Sequence, residues 1–226
     1  IGSEHRSMTR YETHLIYQHC AFRNLEYGIA VSKNERKQAS AEIWYNNCLF
    51  RNVGTGLLFN RFNDYDNWLD GCVFVDCGIG IDSQRGHFHV RNSHFFSSRN
   101  VDVRQGSACH PSSIRWCTSV GSRRFFVTNT GRHTYPFTLQ NNWVQDWTAE
   151  DGAVRFGLRG PTLIFDNTFI EPPNTEAPIR LVNWGSRDPW CEHLMVRSAN
   201  TFEEGKTLVD PGAFSRVVEI PSGKRE

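Results

Sequence analysis

The chain has 226 residues, with 25 Lys and Arg against 24 Asp and Glu, which gives a formal net charge of +1. This balance argues against a basic tract for binding nucleic acid. No apolar run approaches the roughly 20 residues that a membrane span requires. Residues 1–10 are predicted to be a polar lead-in, because they lack the apolar core of a signal peptide.

A short phrase recurs in the first third of the chain. It reads Cys, a variable residue, Phe, another variable residue and Asn or Asp, and Gly with an aliphatic residue follows four positions later. Its three clear copies begin at Cys20, Cys48 and Cys72. A fixed apolar pattern with a period of roughly 20–30 residues is typical of a solenoid, in which successive coils stack on one another.

Looser copies of the phrase follow along the chain. The Cys position is then taken by Ser93, Cys117, Asn142, Asn167 and Asn200. The average spacing is about 26 residues, and Asn, Gly and Ser separate short segments rich in Phe, Val and Ile. We therefore predict an all-β solenoid of about eight coils over residues 11–205. Residues 206–226 are predicted to form a strand and tail that continue into other domains of a longer chain.

The repeated phrase resembles that of the right-handed parallel β-helix superfamily, the pectate-lyase-like proteins. Its clearest copy runs from Asn47 to Asn52, with Gly56 and Leu57, and the resemblance covers about residues 11–205. The resemblance implies a right-handed, single-stranded parallel β-helix and an extracellular, periplasmic or cell-surface location. The superfamily contains lyases, hydrolases, epimerases, tailspikes and adhesins, so the fold does not indicate one activity.

Several recurrent residues of the phrase are predicted to be structural. Cysteines at the first position form a buried ladder of small apolar side chains. Asn and Asp on either side of that position form turns in the left-handed conformation and stack as ladders. The glycines are expected to supply a positive φ at the next corner. These glycines are Gly28, Gly56, Gly80 and Gly152.

A short alternating strand precedes each Cys position and places every second residue on the outer surface. Neighbouring coils then present Trp44, Trp68 and His89 in one outer row. Beside it they present Asn46, Asp70, Arg91, Arg115 and Gln140. Aromatic faces next to cationic and hydrogen-bonding groups suit a sugar polymer. We predict that Trp44, Asn46, Trp68 and Gln140 bind substrate.

The alternative for these tryptophans is that long loops cover them, so that they only pack. Such loops are predicted at residues 32–40, 60–66, 104–111 and 129–135.

A second pair of outward groups is predicted next to the glycine position. If Ile81 and Val101 are equivalent, Asp82 and Asp102 project outward on adjacent coils. Three interpretations remain open. The two carboxylates form an acid/base pair for glycoside cleavage, they bind a hard cation such as Ca²⁺, or they belong to a ladder of salt bridges with Arg85, Arg104 and Arg155.

The catalytic hypotheses follow from the same surface residues. A lyase needs a base and a cation that neutralises the uronate carboxylate; the base candidates are His89, Arg91, Arg115 and His110. Acid/base candidates for hydrolysis are Asp70, Asp82 and Asp102. No metal site is predicted for His87, His89 and His94, because His94 lies beyond the turn.

Two functions of different classes therefore stand at this point. The first is a carbohydrate-active β-helix that binds an extended polysaccharide or oligosaccharide and, as a further hypothesis, cleaves it as a lyase or glycoside hydrolase. The second is a non-catalytic β-helix that serves as a scaffold, an adhesin or a tail-fibre segment.

Overall fold

The computed structural model of the chain describes residues 3–5, 11–31, 39–60, 63–107, 111–128, 136–156, 162–170, 178–181, 194–198, 200–202, 209–210 and 216–219. All regular elements within these ranges are β-strands, and every strand pairing is parallel. The predicted fold class, an all-β parallel β-helix, is confirmed.

The strands are short, and most contain three to five residues. In chain order they are β1 (Ser3–His5), β2 (Tyr11–Thr13), β3 (Ile16–Gln18), β4 (Ala21–Arg23), β5 (Tyr27–Val31), β6 (Ala39–Asn46), β7 (Leu49–Arg51), β8 (Thr55–Phe59), β9 (Asn63–Asp70), β10 (Val73–Val75), β11 (Ile79–Arg85), β12 (Phe88–Arg91), β13 (His94–Phe96), β14 (Val101–Ser107), β15 (Ser112–Arg115), β16 (Thr118–Val120), β17 (Phe126–Thr128), β18 (Phe137–Gln140), β19 (Trp143–Gln145), β20 (Val154–Phe156), β21 (Thr162–Phe165), β22 (Thr168–Ile170), β23 (Ile179–Leu181), β24 (Leu194–Ser198), β25 (Val209–Asp210) and β26 (Arg216–Glu219).

Three parallel sheets of ten, seven and nine strands form the walls of the solenoid. Each coil adds one strand to each sheet in that order; β6, β7 and β8, for example, make one coil. The seven-stranded sheet runs from β4 to β22, so the described coils that reach all three sheets are fewer than the eight predicted. At the ends, β1 pairs with β5, and β25 and β26 extend the nine- and ten-stranded sheets.

The register of the seven-stranded sheet confirms the predicted starts of the coils. Residues after the Cys position pair from coil to coil, as in Leu49 with Val73 and Val73 with His94. The looser copies keep this register as far as the bridge between Thr168 and Thr201. In the later coils, Asn142, Asn167 and Asn200 hydrogen-bond in a buried amide ladder at the Cys position.

The core is built from residues that repeat at the same position of each coil. The Phe of the phrase stacks as Phe22 on Phe50, Phe50 on Phe74 and Phe74 on Phe95, with ring centroids 4.8–5.1 Å apart. This spacing matches the distance of about 4.8 Å between neighbouring strands. Each of these rings therefore contacts the ring at the same position of the next coil, and the stack continues along the axis.

The predicted turn residues adopt the left-handed conformation. Asn24, Asn52 and Asp76 have φ between 50° and 56°, and Asn47 and Asn92 have φ of 51° and 49°. The Asn52 amide also donates to Asn24 Oδ1 over 2.9 Å. Asn and Asp tolerate this conformation because their short polar side chains bond locally.

The predicted role of the repeated glycines is wrong for three of the four. Gly152 has a φ of 98°, but Gly28, Gly56 and Gly80 are not among the glycines with positive φ. They are required because the next coil lies too close for a side chain. A Cβ on Gly56 would lie 2.5 Å from the carbonyl oxygen of Gly80 and 2.9 Å from the ring of Phe74.

The chain contains seven cysteines, of which five lie in the described part, and all five are free. Cys48, Cys72 and Cys117 are buried and Cys20 is partly buried, as the predicted ladder requires. Among the described residues, no helix has the length and apolar character needed to cross a membrane.

Candidate functional site

The outer face of the ten-stranded sheet carries both predicted rows in register. Trp44 pairs with Trp68 and Trp68 with His89; we call these three residues the outer aromatic row. A second row lies two residues further along the strands, and we call it the outer polar row. It comprises Asn46, Asp70, Arg91, Arg115 and Gln140. The structure therefore brings these candidates together on five successive coils, as the alternation predicted.

The rings of the outer aromatic row stack on one another rather than lying open side by side. Trp44 and Trp68 have ring centroids 5.3 Å apart and planes 13° apart, and Trp68 and His89 have centroids 4.3 Å apart. Both faces of Trp68 are thereby occupied within the protein. Stacking of a sugar on a face of Trp68 would therefore require displacement of Trp44 or His89.

The outer polar row is only partly neutralised. Asp70 accepts hydrogen bonds from Arg91 Nη2 over 3.0 Å and from Asn92 Nδ2 over 2.8 Å. Arg91 is exposed, and its neighbour Arg115 is partly buried. The Nε atom of Arg115 is buried without a hydrogen-bond partner among the described residues. One carboxylate thus faces two guanidinium groups, which leaves the row with a net positive charge.

A cluster of two histidines and one aspartate adjoins the outer aromatic row. One ligand atom each of Asp66, His87 and His89 lies within 4.8 Å of the others. Sequence reasoning missed Asp66, which fell in a predicted loop but belongs to β9 with a φ of 52°. The register of the coils did contain a signal for Asp66. Phe88 pairs with Asn67, so the residues before them, His87 and Asp66, occupy equivalent positions on neighbouring coils.

His87 was expected to share an outer face with His89, and the structure does bring the two imidazoles together, with ring centroids 5.7 Å apart. His87 precedes β12, which begins at Phe88, and it is buried rather than exposed. Its side chain is buried, and its Nε2 atom lies 2.9 Å from Asp66 Oδ1. His89 is partly buried, and burial together with the nearby His87 lowers its pKa to about 4. His89 is therefore neutral at neutral pH and a weak base.

Asp82 and Asp102 do not form the predicted outward pair. Ile79, not Ile81, pairs with Val101, so Asp82 is opposite Arg104. The Arg104 guanidinium makes two bonds to the Asp82 carboxylate, one of them 2.8 Å from Nε to Oδ1, and Asp82 is buried. The predicted salt-bridge partner Arg104 is thus correct.

Asp102 points into the core at the position that Gly80 occupies in the preceding coil. Its carboxylate accepts hydrogen bonds from Ser119 and from Ser122, the latter over 2.7 Å. Ser119 replaces the Phe of the phrase, and the space of the missing ring takes the carboxylate. Burial raises the pKa of Asp102 to about 7. A group with no exposed surface cannot contact a polymer, so this candidate does not belong to a surface site.

The catalytic candidates consequently lie in three places. Asp70, His89, Arg91 and Arg115 share the outer face of the ten-stranded sheet, whereas Asp82 lies on the nine-stranded sheet and Asp102 in the core. His110 lies outside the described residues. Of the predicted loops, 32–38, 61–62, 108–110 and 129–135 also lie outside them, and the remaining positions at 39–40, 63–66 and 104–107 belong to strands.

The sequence matches no protein-family model, and it matches no curated protein.

Proposed function

We propose that the chain binds an extended, carboxylate-bearing polysaccharide along the outer face of the ten-stranded sheet. The observation that carries the proposal is the outer polar row, in which five polar or charged side chains repeat in register. At about 4.8 Å per strand the row extends over about 19 Å. A polymer aligned with the axis would meet a polar or charged side chain at every coil, whereas a small ligand would contact only part of the row.

The charges of the row favour an acidic polymer. Arg91 is exposed, and among the described residues its guanidinium is bonded to Asp70 through Nη2 alone. Arg115 lies beside it on the next coil and is partly buried. Guanidinium groups bind carboxylates through paired hydrogen bonds, which fixes orientation as well as charge. Asn46, Gln140 and the edges of Trp44 and Trp68 supply the contacts with sugar hydroxyls and carbon–hydrogen groups.

The proposed function is polysaccharide binding. We further propose that the chain belongs to the pectate-lyase-like superfamily and is located outside the cytoplasm. Both further proposals are supported by the resemblance of the repeated phrase. Cleavage has weaker support, because the carboxylate candidates do not converge and His89 is a weak base.

The test uses a panel of uronate polymers, such as polygalacturonate and alginate, and neutral glucans as comparison polymers. The Arg91→Gln/Arg115→Gln double variant should lose at least tenfold in affinity for a uronate polymer. The matched control is Arg23→Gln/Arg51→Gln, which removes the same charge from two exposed arginines of the seven-stranded sheet.

Equal losses in both double variants would mean non-specific attraction and would overturn the proposal. No binding by the unmodified chain to any polymer would favour the non-catalytic scaffold, adhesin or tail-fibre segment. Reducing ends and ultraviolet absorbance of unsaturated sugars are measured in parallel. Both signals together would add lyase activity, and reducing ends alone would add hydrolase activity.

A further inference from the structure

The cluster beside the outer aromatic row combines side chains that metals prefer. Asp66, His87 and His89 offer one carboxylate oxygen and two imidazole nitrogens, all within 4.8 Å of one another. Imidazole and carboxylate together suit borderline divalent ions, with zinc the commonest, whereas calcium and magnesium prefer oxygen alone. This set of ligands therefore suits a different kind of metal ion from the Ca²⁺ considered for Asp82 and Asp102.

The surroundings hold each of these side chains in place. His89 Nδ1 lies 2.9 Å from the hydroxyl oxygen of Ser113, so this ring nitrogen is occupied and Nε2 is left for a ligand. The carbonyl oxygen of His87 accepts a hydrogen bond from the buried amide of Asn67. A hydrogen bond on the second ring nitrogen, like that between His89 Nδ1 and Ser113, fixes the orientation of a metal-binding histidine and contributes to affinity.

The polypeptide positions Asp66 by an unusual local conformation. Its φ of 52° inside β9 breaks the alternation between Tyr65 and Asn67. The carboxylate is directed to His87 on the next coil, 2.9 Å away, and its side chain keeps 43% of its surface exposed. The cluster is thus reachable from solvent on the aspartate side and closed on the His87 side.

We propose that Asp66, His87 and His89 bind a divalent transition-metal ion of the zinc class. Ligand atoms at about 2.0–2.2 Å from zinc in a tetrahedron lie roughly 3.4 Å apart. The widest distance in the cluster must therefore contract by about 1.4 Å. Three protein ligands leave a fourth position for water or for an oxygen of a bound molecule.

Metal binding here does not depend on the proposed polysaccharide function. His89 and Arg91 lie on the same face of β12, about 7 Å apart along the strand, so the ion would adjoin the outer polar row. An oxygen of a polymer bound to that row would then be within reach of the open position.

The test is titration of the chelator-treated full chain with Co²⁺, followed by visible absorption, and with Zn²⁺, followed by calorimetry. We expect one ion per chain, with a Co²⁺ spectrum of nitrogen and oxygen ligands that Zn²⁺ abolishes. The variants Asp66→Asn and His89→Gln should each weaken binding at least tenfold, and Ser113→Ala should weaken it less. The matched control is His94→Gln, an exposed histidine on the seven-stranded sheet, which should bind as the unmodified chain does.

Several results would overturn the proposal. One is no binding of either ion at millimolar concentration, and another is unchanged binding in both Asp66→Asn and His89→Gln. A thiolate-to-cobalt charge-transfer band would place the ion at a free cysteine instead. Circular dichroism and melting temperature show that each variant is folded, and the two variants change partly exposed side chains, so that loss of binding can be assigned to the ligands.

Discussion

The outer faces of the nine- and ten-stranded sheets use charge in different ways. On the nine-stranded sheet, the buried Asp82 is neutralised by two bonds from Arg104. On the ten-stranded sheet, Asp70 accepts one guanidinium hydrogen bond from the exposed Arg91, and Arg115 lies beside Arg91 on the next coil. The same fold thus buries paired charge on one side and leaves charge exposed on the other.

The largest expected effect tests the nine-stranded side of this comparison. Replacement of Asp82 by Ala removes the partner of Arg104 and should lower the free energy of unfolding by about 3 kcal/mol, because breaking a buried ion pair leaves an unpaired charge. Asp70→Ala on the ten-stranded sheet is the matched control and should cost below about 1 kcal/mol, since its ion pair is exposed. Urea denaturation of both variants measures the difference; equal losses would contradict it.

A second prediction concerns the core, where Asp102 and Ser119 replace the glycine and phenylalanine of other coils. Ser119→Phe alone should be strongly destabilising, because its ring would meet the Asp102 carboxylate. Adding Asp102→Gly restores the usual pair and should recover about 2 kcal/mol relative to the sum of the single changes. A double-mutant cycle in urea measures this coupling, and purely additive effects would show that the two positions are independent.

The third prediction is a pH dependence caused by Asp102. Since burial raises its pKa to about 7, the folded chain keeps a proton that the unfolded chain releases above about pH 4. The stability that Asp102 contributes is therefore fully present below about pH 4 and is lost as pH rises to about 7. Between pH 5 and pH 7 the loss from this group should be about 2 kcal/mol.

Unfolding at several pH values should show this slope in the unmodified chain and a smaller one in Asp102→Asn, which does not titrate. The exposed Asp146→Asn serves as control. A slope that persists in Asp102→Asn would assign the effect to another group.

The smallest effect is expected from the outer aromatic row. Trp44→Ala/Trp68→Ala should leave the coils intact and weaken polysaccharide binding about fivefold, because neighbouring rings already cover both faces of Trp68. Affinity measurements with a uronate polymer test this. Unchanged binding by the folded double variant would remove the aromatic row from the proposed surface.

Sequence periodicity correctly predicted the positions of residues that repeat from coil to coil. It failed at residues where one coil departs from the others. The phrase and the alternation of β6, β9 and β12 placed Trp44, Asp70 and Arg91 correctly. Asp102 was misplaced because Ile79, two residues before the predicted Ile81, pairs with Val101, so that Asp102 takes the position of Gly80, where a side chain is directed at the phenylalanine of the core. Asp66 was missed because side-chain direction in a bulge does not follow alternation, and without Asp66 the two neighbouring histidines did not indicate a metal site.

The most direct test of the central claim is the structure of a complex between this chain and a uronate oligosaccharide. The account predicts the sugar chain along the outer face of the ten-stranded sheet, with carboxylates on Arg91 and Arg115 and its length spanning several coils. An oligosaccharide bound instead to the nine- or seven-stranded sheet, with the outer polar row free, would contradict the account.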